Sequence, residues 1–144
     1  MILMAAMEMY LDFLDSSVPA DLTLISSMQI SALIYEIVVA ENTVYVLDDN
    51  GFRIIDFTEP ANPFQVGFFD MSGWSPSDMT LENGLVYVSR YGGLSVFDAA
   101  DPENIQLLGE YETTNYRANG VAVNGNTAFV VDDSGLWAIN VADP

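Results

Sequence analysis

Two pairs of adjacent aspartates are the residues best suited to binding a metal ion. They occur in "DDNG" (48–51) and "DDSG" (132–135), and a glycine closes each motif. Ca²⁺ prefers several carboxylate and carbonyl oxygens, so a calcium site is the functional interpretation. Neither motif has the alternating ligands and distant glutamate of a calcium loop, and two hairpin turns with solvated acids explain them more simply. The sequence therefore predicts no metal site and no cofactor, with Ca²⁺ as the weak alternative.

A second set of side chains is suited to gripping a sugar or a peptide. Trp74 in "SGWSPSD" and Tyr116 in "TNYRAN" stand at corresponding places 42 residues apart. Flat aromatic rings, carboxylates and an arginine fork suit such ligands, although Trp74 and Tyr116 would equally serve to wedge neighbouring repeats together. The set predicted to share one face of the molecule is Asp48, Asp49, Trp74, Arg90, Tyr91, Tyr116, Arg117, Asp132 and Asp133.

A recurring Asp-x-x-x-Pro pattern is interpreted as structural. An aspartate that ends a strand accepts hydrogen bonds from the backbone two residues on, and the proline then presets φ. A catalytic group is needed only once, whereas this pattern recurs at Asp15 and Pro19, Asp56 and Pro60, and Asp98 and Pro102.

The residue types that are missing exclude several mechanisms for these 144 residues. Three arginines are the only basic residues, and histidine, lysine and cysteine are absent. A Ser-His-Asp triad, a Cys-His pair, histidine-bound zinc and a lysine Schiff base are therefore excluded. A carboxylate mechanism such as glycoside hydrolysis survives, but nothing distinguishes one pair among the 21 acids.

The net charge of −18 bears on partners. Such a charge repels phosphate backbones and anionic lipid surfaces, so we expect no nucleic-acid partner. The first 15 residues lack the positive segment of a signal peptide, and no stretch has the roughly 18 uninterrupted apolar residues of a membrane span. We therefore expect no membrane insertion.

The elements that would position these residues form a repeat of about 42 residues. Tyr45 and Tyr87, Gly51 and Gly93, Asp56 and Asp98, Pro60 and Pro102, and Gly67 and Gly109 all keep this spacing. A third copy covers 129–144, and a weaker copy at 10–27 stands 41 residues upstream. The same spacing at five positions indicates a true internal repeat.

Each repeat contains four short apolar or alternating runs, which predict β-strands. In the second unit these are "EIVVA", "TVYVLD", "FRIIDF" and "FQVGFFD". Four antiparallel strands in about 42 residues are typical of a β-propeller blade, so the predicted fold class is an all-β, incomplete propeller. The predicted units are 1–34 (a partial, degenerate blade), 35–76, 77–118 and 119–144 (a partial blade), with about 14 strands and with residues 1–10 as a strand.

The segments "FRIIDFTEPANPFQVGFFD" (52–70) and "GGLSVFDAADPENIQLLGEY" (92–111) resemble LVIVD repeats. These repeats are named for a strand that ends in aspartate and leads into a Ser/Thr-x-Pro-x-Asn-Pro-like turn. The resemblance covers nearly the whole chain. It implies a β-propeller of bacterial and archaeal proteins, often exported or surface-associated, and it implies no established activity. The chain departs from the pattern at Asn140, at Ile105 in place of the second proline (Pro63), and in the degenerate first unit.

Repetition without a unique catalytic constellation favours a non-enzymatic binding or scaffolding module with a protein or glycan partner. The alternatives are part of a carboxylate-dependent, Ca²⁺-assisted hydrolase and a spacer without any ligand. The resemblance implies an extracellular or cell-surface location. An unclosed propeller leaves free strand edges, so we expect further blades in cis or a second chain. Because the two partial blades lack different strands, a segment of a longer propeller is favoured over a dimer.

Overall fold

A computed structural model describes residues 2–7 and 9–144, and the side chains of 9–113 and 117–144. All regular secondary structure in this part of the chain is β, in agreement with the predicted fold class. The strands are β1 (Ile2–Met7), β2 (Tyr10–Asp15), β3 (Thr23–Gln29), β4 (Ile34–Ala40), β5 (Thr43–Asp48), β6 (Gly51–Asp56), β7 (Phe64–Asp70), β8 (Pro76–Glu82), β9 (Leu85–Asp98), β10 (Gln106–Asn124), β11 (Thr127–Asp132) and β12 (Gly135–Asn140).

The strands form antiparallel sheets in the order of the chain, β1-β2-β3, β4-β5-β6-β7 and β8 to β12. In the last sheet, residues 85–90 of β9 pair with β8, and residues 93–98 pair with β10. Residues 106–112 of β10 pair with β9, and residues 118–124 pair with β11. We call the resulting units blade 1 (β1–β3), blade 2 (β4–β7), blade 3 (β8, β9 and 106–112) and blade 4 (118–124, β11 and β12).

Glycine allows the outer strand of a blade to run close beside the second hairpin. Gly51 and Gly93 begin the third strand of blades 2 and 3 with φ of 148° and 153°. A Cβ atom at either position would collide with a backbone carbonyl of the outer strand, that of Phe69 or Tyr111. The recurrence of glycine at this place therefore follows from a close backbone approach as well as from the turn.

The hydrophobic core lies between blades, in three similar clusters. In the middle strands of blades 2 and 3, alternation buries one face against the preceding blade and the other against the following blade. Leu11 and Phe13 of blade 1 pack against Val44 and Val46 of blade 2. The next two clusters join blades 2 and 3, and blades 3 and 4, through equivalent positions. Each blade is thus stabilised by its neighbours, as in other repeat proteins.

A close contact recurs at the outer edge of each joint between blades. Ser26 Oγ on β3 donates to the carbonyl oxygen of Pro60 in blade 2 at 2.5 Å. At Gly67 on β7 a Cβ atom would stand 2.5 Å from the carbonyl oxygen of Pro102 in blade 3. Gly109 approaches Pro144 in the same way. These contacts tie the outer strand of one blade to the proline turn of the next.

Strand β1 forms although its residue types favour helix locally. It pairs with β2 along its whole length, from Ile2 opposite Asp15 to Met7 opposite Tyr10. Met7 opposite Tyr10 corresponds to Asp48 opposite Gly51 in the second unit. Tertiary pairing therefore overrides propensity at this end of the chain.

Candidate functional site

Three of the predicted ligand-face residues line one open pocket. Trp74, Arg90 and Tyr91 surround a volume of about 410 Å³ at the joint between blades 2 and 3. The remaining lining residues are Gly73, Ser75, Glu110 and Glu112. Pockets of this size and mixed chemistry accommodate small molecules or single side chains of a partner.

Trp74 is held in this pocket by the turn that joins β7 to β8. Its backbone N–H donates to the carbonyl oxygen of Met71 at 2.9 Å, and its ring meets Phe69 edge-on at 6.3 Å between centroids. The side chain is half-buried and packs on the core between blades 2 and 3. One part of the ring therefore packs against the core, while the other part lines the pocket.

Arg90 is fixed in the pocket by three hydrogen bonds. Its Nε donates to Ser95 Oγ at 2.7 Å, Nη1 to the carbonyl oxygen of Tyr91 at 2.9 Å, and Nη2 to Glu110 Oε1 at 2.6 Å. The guanidinium carbon also lies 5.4 Å from the centre of the Trp74 ring, within reach of a cation–π interaction. The cationic group is consequently preorganised, which lowers the entropy cost of binding a ligand.

Two more candidates line a smaller pocket beside the first. Asp49 and Arg117 border a volume of about 180 Å³ together with Tyr35 and Pro76. Gly73 and Ser75 line both pockets, so the two openings adjoin on one face. Asp49 Oδ1 also accepts the backbone N–H of Leu33 at 3.1 Å.

Asp48 and Asp132 occupy buried positions in their hairpins. Asp48 accepts the N–H of Asn50 at 2.8 Å and the Nε of Arg53 at 2.5 Å. Asp132 Oδ1 accepts the N–H groups of the turn, and its Oδ2 accepts Trp137 Nε1 at 2.9 Å. The geometry gives these two carboxylates local partners inside the fold.

The remaining candidates lie apart from both pockets or outside the described side chains. Asp133 is exposed, and its Oδ1 accepts from Asn119 Nδ2 at 3.4 Å. The side chain of Tyr116 lies outside the described residues. The structure thus brings Trp74, Arg90 and Tyr91 together and places Asp49 and Arg117 beside them.

Sequence reasoning missed the partners of these residues. Glu110 and Glu112 alternate on the outer strand of blade 3, a spacing that puts both on one face. Arg53, Ser95 and Trp137 stand five residues after Asp48, Arg90 and Asp132, and each side chain bonds to its partner. The constant spacing of five within a repeat of 42 is the signal that could have revealed these pairs.

The Asp-x-x-x-Pro turns contain the hydrogen bond to the backbone two residues on. Asp15, Asp56 and Asp98 accept the N–H groups of Ser17, Thr58 and Ala100 at 2.7–2.9 Å. Asn140, which stands in place of the aspartate in the last repeat, accepts the N–H of Ala142 at 3.0 Å and so makes the same hydrogen bond. Hydrogen bonds to Ser17 and Thr58 lower the pKa of Asp15 and Asp56 below the ordinary value. Pro19, Pro60 and Pro102 follow in these turns.

Among the described side chains, no three carboxylates converge in a way that could hold a metal ion. Within the described part of the chain, no helix is long and apolar enough to cross a membrane.

The fold is that of a β-propeller segment, and solved structures share it. The crystal structure of the computationally designed protein Ika4 superimposes with a TM-score of 0.80 at 11% identity, over 98% of this chain and 86% of that chain. Designed Ika8 gives 0.67 at 11% identity, over 94% and 45%. The N-terminal domain of Nup159 gives 0.67 at 13% identity, over 96% and 38%.

A family of known repeats matches two ranges of the chain. The LVIVD repeat family matches residues 35–71 and 117–144, which confirms the resemblance drawn from the sequence. The chain therefore carries LVIVD repeats in an incomplete propeller. No curated protein matches the sequence.

Proposed function

We propose that the chain is a non-enzymatic binding module that holds a protein or glycan partner on the face with the two adjoining pockets. The main support is that Trp74, Tyr91 and a preorganised Arg90 line one open pocket. Aromatic surface provides contact area at low entropy cost, and the fixed guanidinium provides hydrogen bonding of defined direction to the ligand. The LVIVD resemblance supports a location outside the cell or at its surface.

The known propeller structures support a protein partner in particular. One similar structure is the S. cerevisiae complex in which Dbp5 is bound to Nup159 and Gle1. The present chain covers 35% of the matched chain in that complex. A propeller in that complex assembles with other proteins. In this proposal, further blades, in cis or from a second chain, complete the ring.

A carboxylate-dependent hydrolase is the less favoured alternative. Asp48 and Asp132, one acid of each Asp-Asp pair, are committed to hairpin hydrogen bonds. We expect no turnover of chromogenic glycosides. Turnover that is abolished by Asp49→Asn or Asp133→Asn would instead establish hydrolysis.

The binding proposal is tested with glycan and peptide arrays probed by the chain and two tyrosine variants. Tyr91 is 54% exposed at the pocket, whereas Tyr111 is 44% exposed on the outer strand and lines neither pocket. For any ligand found, Tyr91→Ala is expected to weaken binding about tenfold, or about 1.4 kcal/mol. Tyr111→Ala should leave the affinity unchanged. Blank arrays, or equal losses in the two variants, would reject this site.

A further inference from the structure

Blade 4 exposes an apolar face, and the equivalent faces of blades 2 and 3 are buried. Along β11, Phe129 and Val131 point outward while Ala128 and Val130 are buried against blade 3. On β12, Leu136 and Ala138 are exposed in the same way. We call Phe129, Val131, Leu136 and Ala138 the forward face of blade 4, because they point away from blades 1–3.

The repeat shows what normally covers this face. Leu136 is 68% exposed, whereas the equivalent Leu94 and Phe52 are 1% and 0% exposed. Phe52 packs against residues of blade 3, and Leu94 packs against residues of blade 4. In both cases the residue is covered by the next blade. The covering surface is the rear face of that next blade, which is the face that points toward the preceding blade. The forward face of blade 4 is therefore shaped for the rear face of another blade.

Blade 1 carries an uncovered rear face. Leu11 and Phe13 of β2 are buried against blade 2, so Tyr10 and Leu14 belong to the opposite side by alternation. Tyr10 is exposed and Leu14 half-buried, whereas Ile55 and Phe97, equivalent to Leu14, are fully buried. Among the described blades, blade 1 is the one without a preceding neighbour.

We propose that the forward face of blade 4 docks onto the rear face of blade 1 in a second copy of this chain. Two copies would then form a closed ring of eight blades, which is within the usual four to eight. Closure through two equivalent joints uses both open faces and prevents growth into a filament.

The joint is face to face, which resolves the objection that the two partial blades lack different strands. Each partial blade keeps its own three-stranded pairing, β1-β2-β3 in blade 1 and residues 118–124 with β11 and β12 in blade 4. No strand has to be shared for the apolar faces to meet. The joint also leaves out Trp74, Arg90 and Tyr91, so it stands independently of the binding proposal.

Charge makes this association dependent on salt. Each copy has a net charge of −18, and two copies therefore repel one another at low ionic strength. The screening length falls from about 10 Å at about 0.1 M salt to about 3 Å at about 1 M. We expect the fraction of dimer to rise over this range.

The test is light-scattering mass after size exclusion at both salt concentrations, with circular dichroism on each peak. The chain should reach twice its 15.8 kDa at high salt. Leu136→Asp should remain β-rich but stay monomeric. Phe64→Asp, at a side chain 57% exposed on the outer strand β7, is the matched control and should dimerise normally.

A mixing experiment keeps the proposal falsifiable if a single variant misfolds. Tyr10→Asp disrupts the rear face and Leu136→Asp the forward face, so each variant alone damages both joints of its ring. Their mixture contains one undamaged joint and should recover part of the dimer. A β-rich monomer of the unaltered chain at high salt, a ladder of larger polymers, or equal effects of Leu136→Asp and Phe64→Asp would each overturn the proposal.

Discussion

At the scale of single residues, the two members of each Asp-Asp pair have different surroundings. Asp48 is buried and bonded to Arg53, whereas the adjacent Asp49 is exposed at the edge of a pocket. The sequence shows only two neighbouring carboxylates, whereas in the structure Asp48 ends strand β5 and Asp49 lies in the hairpin turn that follows it. The inward position becomes predictable only when the partner five residues on is noticed. Arg53, Ser95 and Trp137 are too different chemically for that partner to be recognised by residue type.

Asp132→Asn provides a test of the buried member. Asp132 Oδ1 accepts donors of the turn while Oδ2 accepts Trp137 Nε1, so an amide has one oxygen for two sets of donors. Either orientation of the asparagine leaves an N–H group opposite another donor. We expect a loss of about 1–3 kcal/mol in the free energy of unfolding, measured by urea denaturation.

Two companion variants show whether the indole is the cause. In a Trp137→Phe background the N–H group is gone, so Asp132→Asn should cost less there, and the double-mutant cycle measures the difference. Asp133→Asn changes an exposed neighbour and should alter stability by less than about 0.5 kcal/mol. Equal losses at Asp132 and Asp133 would show that burial does not distinguish the two carboxylates.

At the scale of elements, the strand pattern and the hairpins were predictable because period-2 alternation and turn glycines are local signals. The continuity of β10 from blade 3 into blade 4 was not predictable. It depends on pairing with β9 on one side and with β11 further along, which are contacts between distant residues. The pockets escaped prediction for the same reason, since Ser75 and Glu110 are distant in the sequence and line one pocket only in the folded sheet.

The conserved spacing of Gly67 and Gly109 in the repeat has its physical explanation at this scale. Each lies where the outer strand of one blade touches the proline turn of the next, at Pro102 and Pro144. Glycine and proline therefore recur together because they form two sides of one joint. The sequence shows that both recur, but it does not show that they meet across blades.

Gly67→Ala tests this joint. Its added Cβ atom would stand 2.5 Å from the carbonyl oxygen of Pro102, a backbone atom that cannot move aside cheaply. We expect a loss of about 1–3 kcal/mol in the free energy of unfolding, as for other overpacked sites. Gly120→Ala is the matched control, because its Cβ atom would meet nothing closer than Asp78 Oδ2 at 3.6 Å. If Gly120→Ala loses as much stability as Gly67→Ala, the loss comes from replacing a glycine in a strand and not from the contact with Pro102.

At the scale of the whole molecule, the acidic residues affect stability with opposite signs. Hydrogen bonds to Ser17, Thr58 and Ser72 lower the pKa values of Asp15, Asp56 and Asp70. A lowered pKa in the folded state stabilises the fold above the unfolded value of 3.8, and this contribution is lost as the pH falls through the folded pKa. Glu36 behaves in the opposite way. Burial raises its pKa, and the Asp78 carboxylate on the first strand of the next blade adds to the rise.

Glu36→Gln separates these effects. With a raised folded pKa, Glu36 is most compatible with the fold while protonated, and ionisation destabilises the fold as the pH rises above the ordinary value of 4.5. The substitution removes this charge, so we expect a higher urea midpoint near pH 7 and little change near pH 3, where the carboxyl is already neutral. Glu103→Gln, at an exposed position on the proline turn of blade 3, reduces the net negative charge equally and serves as the control. If both variants raise the midpoint near pH 7 by the same amount, the relief comes from the net charge of −18 as a whole. If only Glu36→Gln raises the midpoint, the destabilising charge lies where the first strands of adjacent blades meet.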